Sequence, residues 1–270
     1  MLELAKKINL SEPLTANLKA FLEKNSLSVE RTAERCINNS FSCLKGKSKM
    51  MRLAVILFLA VRAKGKYAEK GISDEIYYDT MSDIRIWCEK NSDKGLENYG
   101  WLQNHVKLEL FRIGRLQFQL YECKNKTLNY NKLPFSYGDN LINIHIPEGE
   151  RLSREKCIES LEKADEFFAA FYPGYSYDYY FCESWLLFEG NRDFMAENSN
   201  IVSFMSLFTI SYSLKIDAQT IERVFGKRRL FKRNYPEKTD LQRRTKAYIL
   251  SGNRPGIGVG FIRVGESYNN

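Results

Sequence analysis

Two residues in the second half of the chain carry side chains suited to accepting a proton. Glu183 stands in an aromatic stretch, between Cys182 and Ser184-Trp185. A carboxylate there is a general base whose pKa burial has raised, an acid paired with a basic neighbour, or a residue on the strand's solvent face, and these readings stay open. His145 closes an alternating stretch, on the face shared with Leu141 and Asn143. Its imidazole is either a base or a satisfied structural group. Cys182 is a weaker nucleophile, because no base stands beside it. No Ser-His-Asp arrangement can be assembled.

Three segments have the look of a phosphate loop. Gly46-Lys47-Ser48 lacks the glycine a P-loop needs at position 41, where Phe41 stands. Gly256, Gly258 and Gly260 give G-x-G-x-G with no helix after them, which reads as a strand closely approached by another backbone. The third is a strand at Leu141–Ile146, a loop with Gly149 and Arg151, and a helix opening at Ser153. Free N–H groups and the helix dipole make such a start an anion site, and Arg151 adds a positive charge.

The elements that position these residues follow from hydrophobic periodicity. The spacing predicts helices over Leu14–Lys24, Ser28–Asn38, Lys49–Lys64, a segment starting at Ser73, and Glu97–Leu108. Arg115–Leu120 alternates, with Leu116, Phe118 and Leu120 on one face and Arg115, Gln117 and Gln119 on a polar one. Lys124–Asn131 reads as a polar turn. A helix follows Ser153 to about Phe171, then a strand over Tyr179–Leu187. Further helices are predicted near Ser199–Phe208, Asp217–Phe225 and Asp240–Leu250. The layout is α+β: a helical front part over 1–109 and a sheet-bearing part over 110–270, expected to pack together with a cleft between.

Composition narrows the class. At 270 residues, 44% hydrophobic and 13% aromatic, the chain can bury a core and is not disordered. The segment Arg223–Lys246 holds ten Lys or Arg and two acids, so it accounts for the entire net charge of +8. Such a patch is either a solvated surface or a site for a phosphate-bearing cofactor or nucleic acid, with Phe231 and Tyr235 placed to stack on a base. The six cysteines lack zinc-knuckle spacing and two histidines add little, so no metal is expected. The N-terminus lacks a signal peptide, and the longest apolar run, Leu53–Val61, is too short to span a bilayer. A cytoplasmic protein with reduced thiols and no membrane partner is the expectation.

Several segments in order carry a resemblance. They are Met81-Ser82-Asp83-Ile84-Arg85-Ile86-Trp87, Trp101-Leu102-Gln103-Asn104-His105, Phe111-Arg112-Ile113-Gly114-Arg115-Leu116-Gln117-Phe118, His145-Ile146-Pro147-Glu148-Gly149, Cys182-Glu183-Ser184-Trp185-Leu186-Leu187 and Ser199-Asn200-Ile201. Together they resemble a bacterial acyltransferase-domain family in which a helical N-acyltransferase N-terminal domain precedes a GNAT-like C-terminal domain. The resemblance implies a helical domain packed on a mixed sheet flanked by helices, with acyl-CoA bound where two strands splay. It implies direct transfer of the acyl group to an amine or hydroxyl of a small-molecule or peptide acceptor, with Glu183 or His145 as base. Ile146, Gly149, Arg151, Leu152, Ser153 and Asn200 would hold the coenzyme; Arg115, Gln117, Gln119 and Trp185 would line the acceptor side. The usual GNAT phosphate loop, Arg/Gln-x-x-Gly-x-Gly/Ala, is replaced here by Pro147-Glu148-Gly149-Glu150-Arg151-Leu152, with one glycine and two acids. A non-catalytic acyl-CoA binder and a nucleic-acid binder using residues 223–246 are the alternatives.

Overall fold

A computed structural model describes residues 1–268. The chain divides into two compact units. One comprises Met1–Gln119, Ile146–Gly149 and Ala169–Tyr172; the other comprises Leu120–His145, Glu150–Phe168 and the chain from Pro173 onward.

The first unit is mainly helical: α1 (Leu2–Lys7), α2 (Glu12–Asn38), α3 (Lys49–Glu69), α4 (Asp74–Met81), α5 (Asp83–Lys90) and α6 (Tyr99–Val106). Serine side chains start the main helices by accepting the third N–H of the first turn. Ser11 does so for Leu14, Ser48 for Met51 and Ser73 for Ile76. Three expectations change here. The two helices expected over 14–38 are one, since nothing between Lys24 and Ser28 outweighs the continuous helix. The buried helix runs on to Glu69. The helix expected from Ser73 is broken at Ser82, whose hydroxyl donates back to the Asp79 carbonyl at 2.6 Å.

The sheet begins with a hairpin, β1 (Leu110–Ile113) and β2 (Leu116–Glu122), joined by Gly114-Arg115. Gly114 has φ +62°, the positive value that a two-residue hairpin turn demands. Arg115 is thus a turn residue and not the first residue of the alternating strand. The expected polar face is also absent: Arg115 and Gln117 are buried.

The remaining elements are β3 (Asn140–His145), α7 (Arg154–Phe171), β4 (Tyr179–Ser184), α8 (Asn200–Met205), β5 (Thr209–Leu214), α9 (Ala218–Phe225), α10 (Asp240–Leu250) and β6 (Ile257–Arg263). The six strands form one mixed sheet in the order β1-β2-β3-β4-β6-β5. Strand β3 runs parallel to β4, whereas β6 is antiparallel to both β4 and β5. The expected strand over Tyr179–Leu187 ends at Ser184, whose hydroxyl accepts from Leu186 N–H and starts a 3-10 turn.

In the second unit the sheet has two buried faces. On one, Leu141, Phe181, Tyr212 and Val259 meet Cys123, Leu128 and Phe135. The expected polar turn over Lys124–Asn131 is present, with Lys124, Lys126, Thr127, Asn129 and Asn131 exposed, while Leu128 and the flanking Cys123 and Phe135 reach into the core. On the other, Tyr180 donates its hydroxyl to Asp165 of α7 at 2.7 Å, and α7 buries Cys157, Ile158, Leu161, Ala164 and Phe168. The close backbone approach expected along β6 is real. A Cβ on Gly258 would overlap the carbonyl of Leu187, so only glycine fits.

Candidate active site

Parallel strands β3 and β4 carry the two candidate bases of the second unit. Ile142 faces Tyr180 and Asn143 faces Phe181. Two residues further along, His145 closes β3 and Glu183 stands one residue before the end of β4. Residues two apart on a strand share a face, so the pair lies on the face of Leu141, Asn143 and Phe181. The β3–β4 ladder reaches no further than Asn143 and Phe181. Beyond it, β4 stays paired to β6 through Glu183–Val259 and Ser184–Gly258. The ends of β3 and β4 thus leave each other's hydrogen bonds while one of them is still held by the sheet.

Glu183 sits at the rim of the apolar face. Its carboxylate accepts from Asn125 Nδ2 at 3.5 Å, a long contact. Burial pushes its pKa above the ordinary glutamate value. Among the described residues no ion pair engages Glu183. Tyr121 and Tyr212 are close enough to feel its charge, which adds to burial in raising both hydroxyls. His145 is half-buried at the end of β3. Cys182 points to the opposite face and is fully buried, which pushes its thiol up and away from nucleophilic use.

The loop after β3 behaves differently from its sequence. Its two acids are both offset by lysines: Glu148 meets Lys90 at 2.6 Å in the first unit, and Glu150 meets Lys156 at 3.4 Å in the second. Gly149 has φ +111° and Arg151 is exposed. Helix α7 starts at Arg154, after the expected cap Ser153, whose hydroxyl accepts from Lys156 N–H at 3.4 Å. Leu152 and Ser153 are half-buried beside that start.

Two other candidates of the second unit lie in separate surroundings. Trp185 packs against the buried cluster of Ile221, Val224, Phe225, Tyr235 and Ile249. Its N–H donates to Gln219 at 3.1 Å. Asn200 opens the short helix α8, after its cap Ser199.

In the first unit, Arg115 and Gln117 do not present an open polar surface. Arg115 donates to the Pro147 carbonyl at 2.9 Å, two residues past His145. Gln117 contributes to a buried polar cluster around Asp83, while Gln119 is half-buried. In that cluster Trp101 Nε1 donates to Asp83 Oδ2 at 2.7 Å and Trp87 Nε1 at 3.3 Å. His105 Nε2 lies 3.0 Å from the same oxygen, and its side chain is wholly buried. Burial alone would raise the pKa of Asp83; His105, then Trp101 and Gln117, outweigh it and hold the carboxyl below its usual range. The sequence reading left Asp83 and His105 without a role. The available signal was Trp101 and His105 four residues apart, on one helical face.

Comparison with known proteins agrees with this architecture. Solved structures similar to the chain include an acyltransferase in complex with decanoyl-CoA and teicoplanin, with 21% identity and TM-score 0.80 over 97% of this chain and 87% of that one. Another is an acyltransferase in complex with CoA and 10C-teicoplanin, at 20% identity and TM-score 0.80 over the same shares. A third, an acyltransferase in complex with decanoyl-CoA, has 20% identity and TM-score 0.78 over 97% and 86%. At this identity the likeness establishes the fold. No curated protein matches the sequence. Residues 1–108 match the N-acyltransferase N-terminal domain, and residues 110–262 match the GNAT-like C-terminal domain. The chain therefore belongs to the family that joins an N-acyltransferase N-terminal domain to a GNAT-like C-terminal domain.

Proposed function

We propose that the protein transfers an acyl group from an acyl-CoA to an amine or hydroxyl acceptor, without a covalent enzyme intermediate. The observation that carries this reading is the position of His145 and Glu183 at the separating ends of β3 and β4, with the Glu183 pKa raised by burial. The solved relatives named above hold CoA or acyl-CoA, which supports the same donor. Bound there, the donor supplies a thioester carbonyl and a thiolate leaving group.

The residues divide the work as follows. Glu183 accepts the proton of the acceptor nucleophile, and its raised pKa brings its basicity nearer to neutral pH. The nucleophile bonds to the acyl carbon, the carbon–sulfur bond breaks, and the coenzyme leaves as its thiol once a proton reaches it. His145, at the end of β3, gives its own proton to the leaving sulfur, and both side chains then regain their starting states by proton exchange with solvent. Backbone N–H groups at the strand ends stabilise the oxyanion that forms on the carbonyl. Arg151, Leu152 and Ser153, with Ile146 and Gly149 in the same loop, receive the pyrophosphate at the start of α7. Lys156, the partner of Glu150, reduces the repulsion that acid exerts on it. Arg115 is a positioning residue that fixes the exit of the chain after His145, and Asn200 and Trp185 are left without a direct part.

The test is a thiol-release assay with decanoyl-CoA across amine and hydroxyl acceptors, alongside mass spectrometry of ligands that co-purify. Release of CoA thiol that depends on an acceptor supports the reading. Stabilisation by acyl-CoA with no turnover on any acceptor points to a binder. Neither binding nor turnover sinks the proposal.

A further inference from the structure

Nine consecutive exposed residues, Gly226–Asn234, follow α9 and read Gly-Lys-Arg-Arg-Leu-Phe-Lys-Arg-Asn, with five cations and no acid. The ends of this loop are clamped. Phe225 stacks on Tyr235 with ring centroids 4.3 Å apart, inside the buried cluster of Ile221, Val224 and Ile249. Arg228 is gripped by Asp217 through two hydrogen bonds, of 3.1 and 2.8 Å. The loop is thus a fixed projection. At its middle Leu230 is 91% exposed and Phe231 is 52% exposed. Arg233 lies 5.4 Å from the Phe231 ring. Among the described residues no ion pair engages Lys227, Arg229 or Lys232.

This combination selects among anionic partners. A nucleic acid uses cations and an aromatic face, but Leu230 neither stacks on a base nor hydrogen-bonds to one. An anionic bilayer uses all three features. Apolar side chains enter the boundary between headgroups and acyl chains, and Lys and Arg meet the lipid phosphates. No helix among the described residues is long and apolar enough to cross a membrane, but resting on its surface requires none.

We propose that the Gly226–Asn234 loop docks the protein on an anionic lipid bilayer, with Leu230 and Phe231 inserted at the interface and Lys227, Arg229, Lys232 and Arg233 on the headgroups. This inference is independent of the acyl-transfer reading.

The experiment is co-sedimentation of the full chain with phosphatidylcholine vesicles, with and without about one-third phosphatidylglycerol, at about 100 mM salt. Binding to the mixed vesicles is expected to exceed binding to the neutral ones by on the order of tenfold. The double variant Leu230→Ser with Phe231→Ser keeps the charge and should lower that binding on the order of tenfold, with an unchanged melting temperature. Equal binding to both vesicles, or none to either, overturns the proposal. So does full binding by the double variant, or preferential capture of a single-stranded oligonucleotide that mixed vesicles fail to displace.

Discussion

His145 and Glu183 each stand two residues beyond the Asn143–Phe181 pair with which the β3–β4 ladder ends. Residues two apart on a strand share a face, so both side chains lie on the side of the sheet that Asn143 and Phe181 share. The carboxyl ends of parallel strands are also where open α/β sheets place their ligands.

Glu183→Gln is expected to lower acyl transfer by about 10²–10⁴-fold while leaving acyl-CoA binding in place, as measured by thiol release and by thermal shift with decanoyl-CoA. A retained rate would remove Glu183 as the base. The raised folded-state pKa adds a stability signature. A carboxyl raised by burial favours folding fully below its unfolded value, and that contribution is lost as pH rises through the folded pKa. The variant should therefore melt higher than the parent at neutral pH, and the gap should close below about pH 4.

His145→Ala should lower the rate with a different pH profile from Glu183→Gln, because it removes the gift of a proton to the leaving sulfur rather than the capture of the acceptor's proton. The measurement is the rate across about pH 5 to 9 in both variants. Superimposable profiles would argue that the two side chains act as one unit or that one is structural.

His105→Ala leaves the buried Asp83 carboxyl without its imidazole partner, and should cost about 1–3 kcal/mol of stability by denaturant titration. In the parent, the pKa of Asp83 is lowered in the folded state. Its contribution is therefore complete above the ordinary aspartate pKa and is lost as pH falls through the lower folded value. An acid titration in which Asp83→Asn behaves like the parent would contradict this.

Gly258→Ala should destabilise by about 1–3 kcal/mol or more, since the new methyl meets the Leu187 carbonyl. Gly100→Ala in α6, where the added methyl meets open space, is the matched control and should be nearly neutral. Comparable melting points for the two variants would mean the β6 glycines are not required for close approach.

Cys36 and Cys43 have their sulfurs 3.0 Å apart, and burial, then the neighbouring Cys43, pushes the Cys36 thiol up to about 12. The thiol pair should resist spontaneous oxidation at neutral pH yet close to a disulfide under diamide, which takes up the two hydrogens released. Peptide mapping should find a 36–43 cross-link that Cys43→Ser abolishes. Cross-links between other cysteines instead would overturn the assignment.

Much of the fold was legible because it is written locally. The helix opening at Ser73 and the alternation of Leu116, Phe118 and Leu120 each act through near neighbours in the chain, whereas Arg115 was read as strand and lies in the turn. Strand β5 was not read as one, because Thr209–Leu214 mixes polar and apolar residues without a clean period and is held by its pairing with β6. Trp185 was misjudged for a related reason: an aromatic residue in a motif does not reveal which cluster it will join, and here it joins α9 and α10.

The candidate site divides in the same way. The sequence by itself determined the chemical cast: a carboxylate among aromatics at 183, an imidazole closing a strand at 145, a loop and helix start behind it, and one cationic segment. It could not determine which of these meet. Whether Glu183 was buried or paired, and whether Arg115 and Gln117 faced solvent, depended on contacts between residues far apart in the chain. Only the tertiary structure decided that Arg115 grips Pro147, that Asp83 is held by His105 and Trp101, and that the β3–β4 ladder ends two residues short of His145 and Glu183. Side-chain type is a property of each residue alone. Burial, register and partner are properties of the packed chain, and these set the pKa and direction on which the chemistry depends.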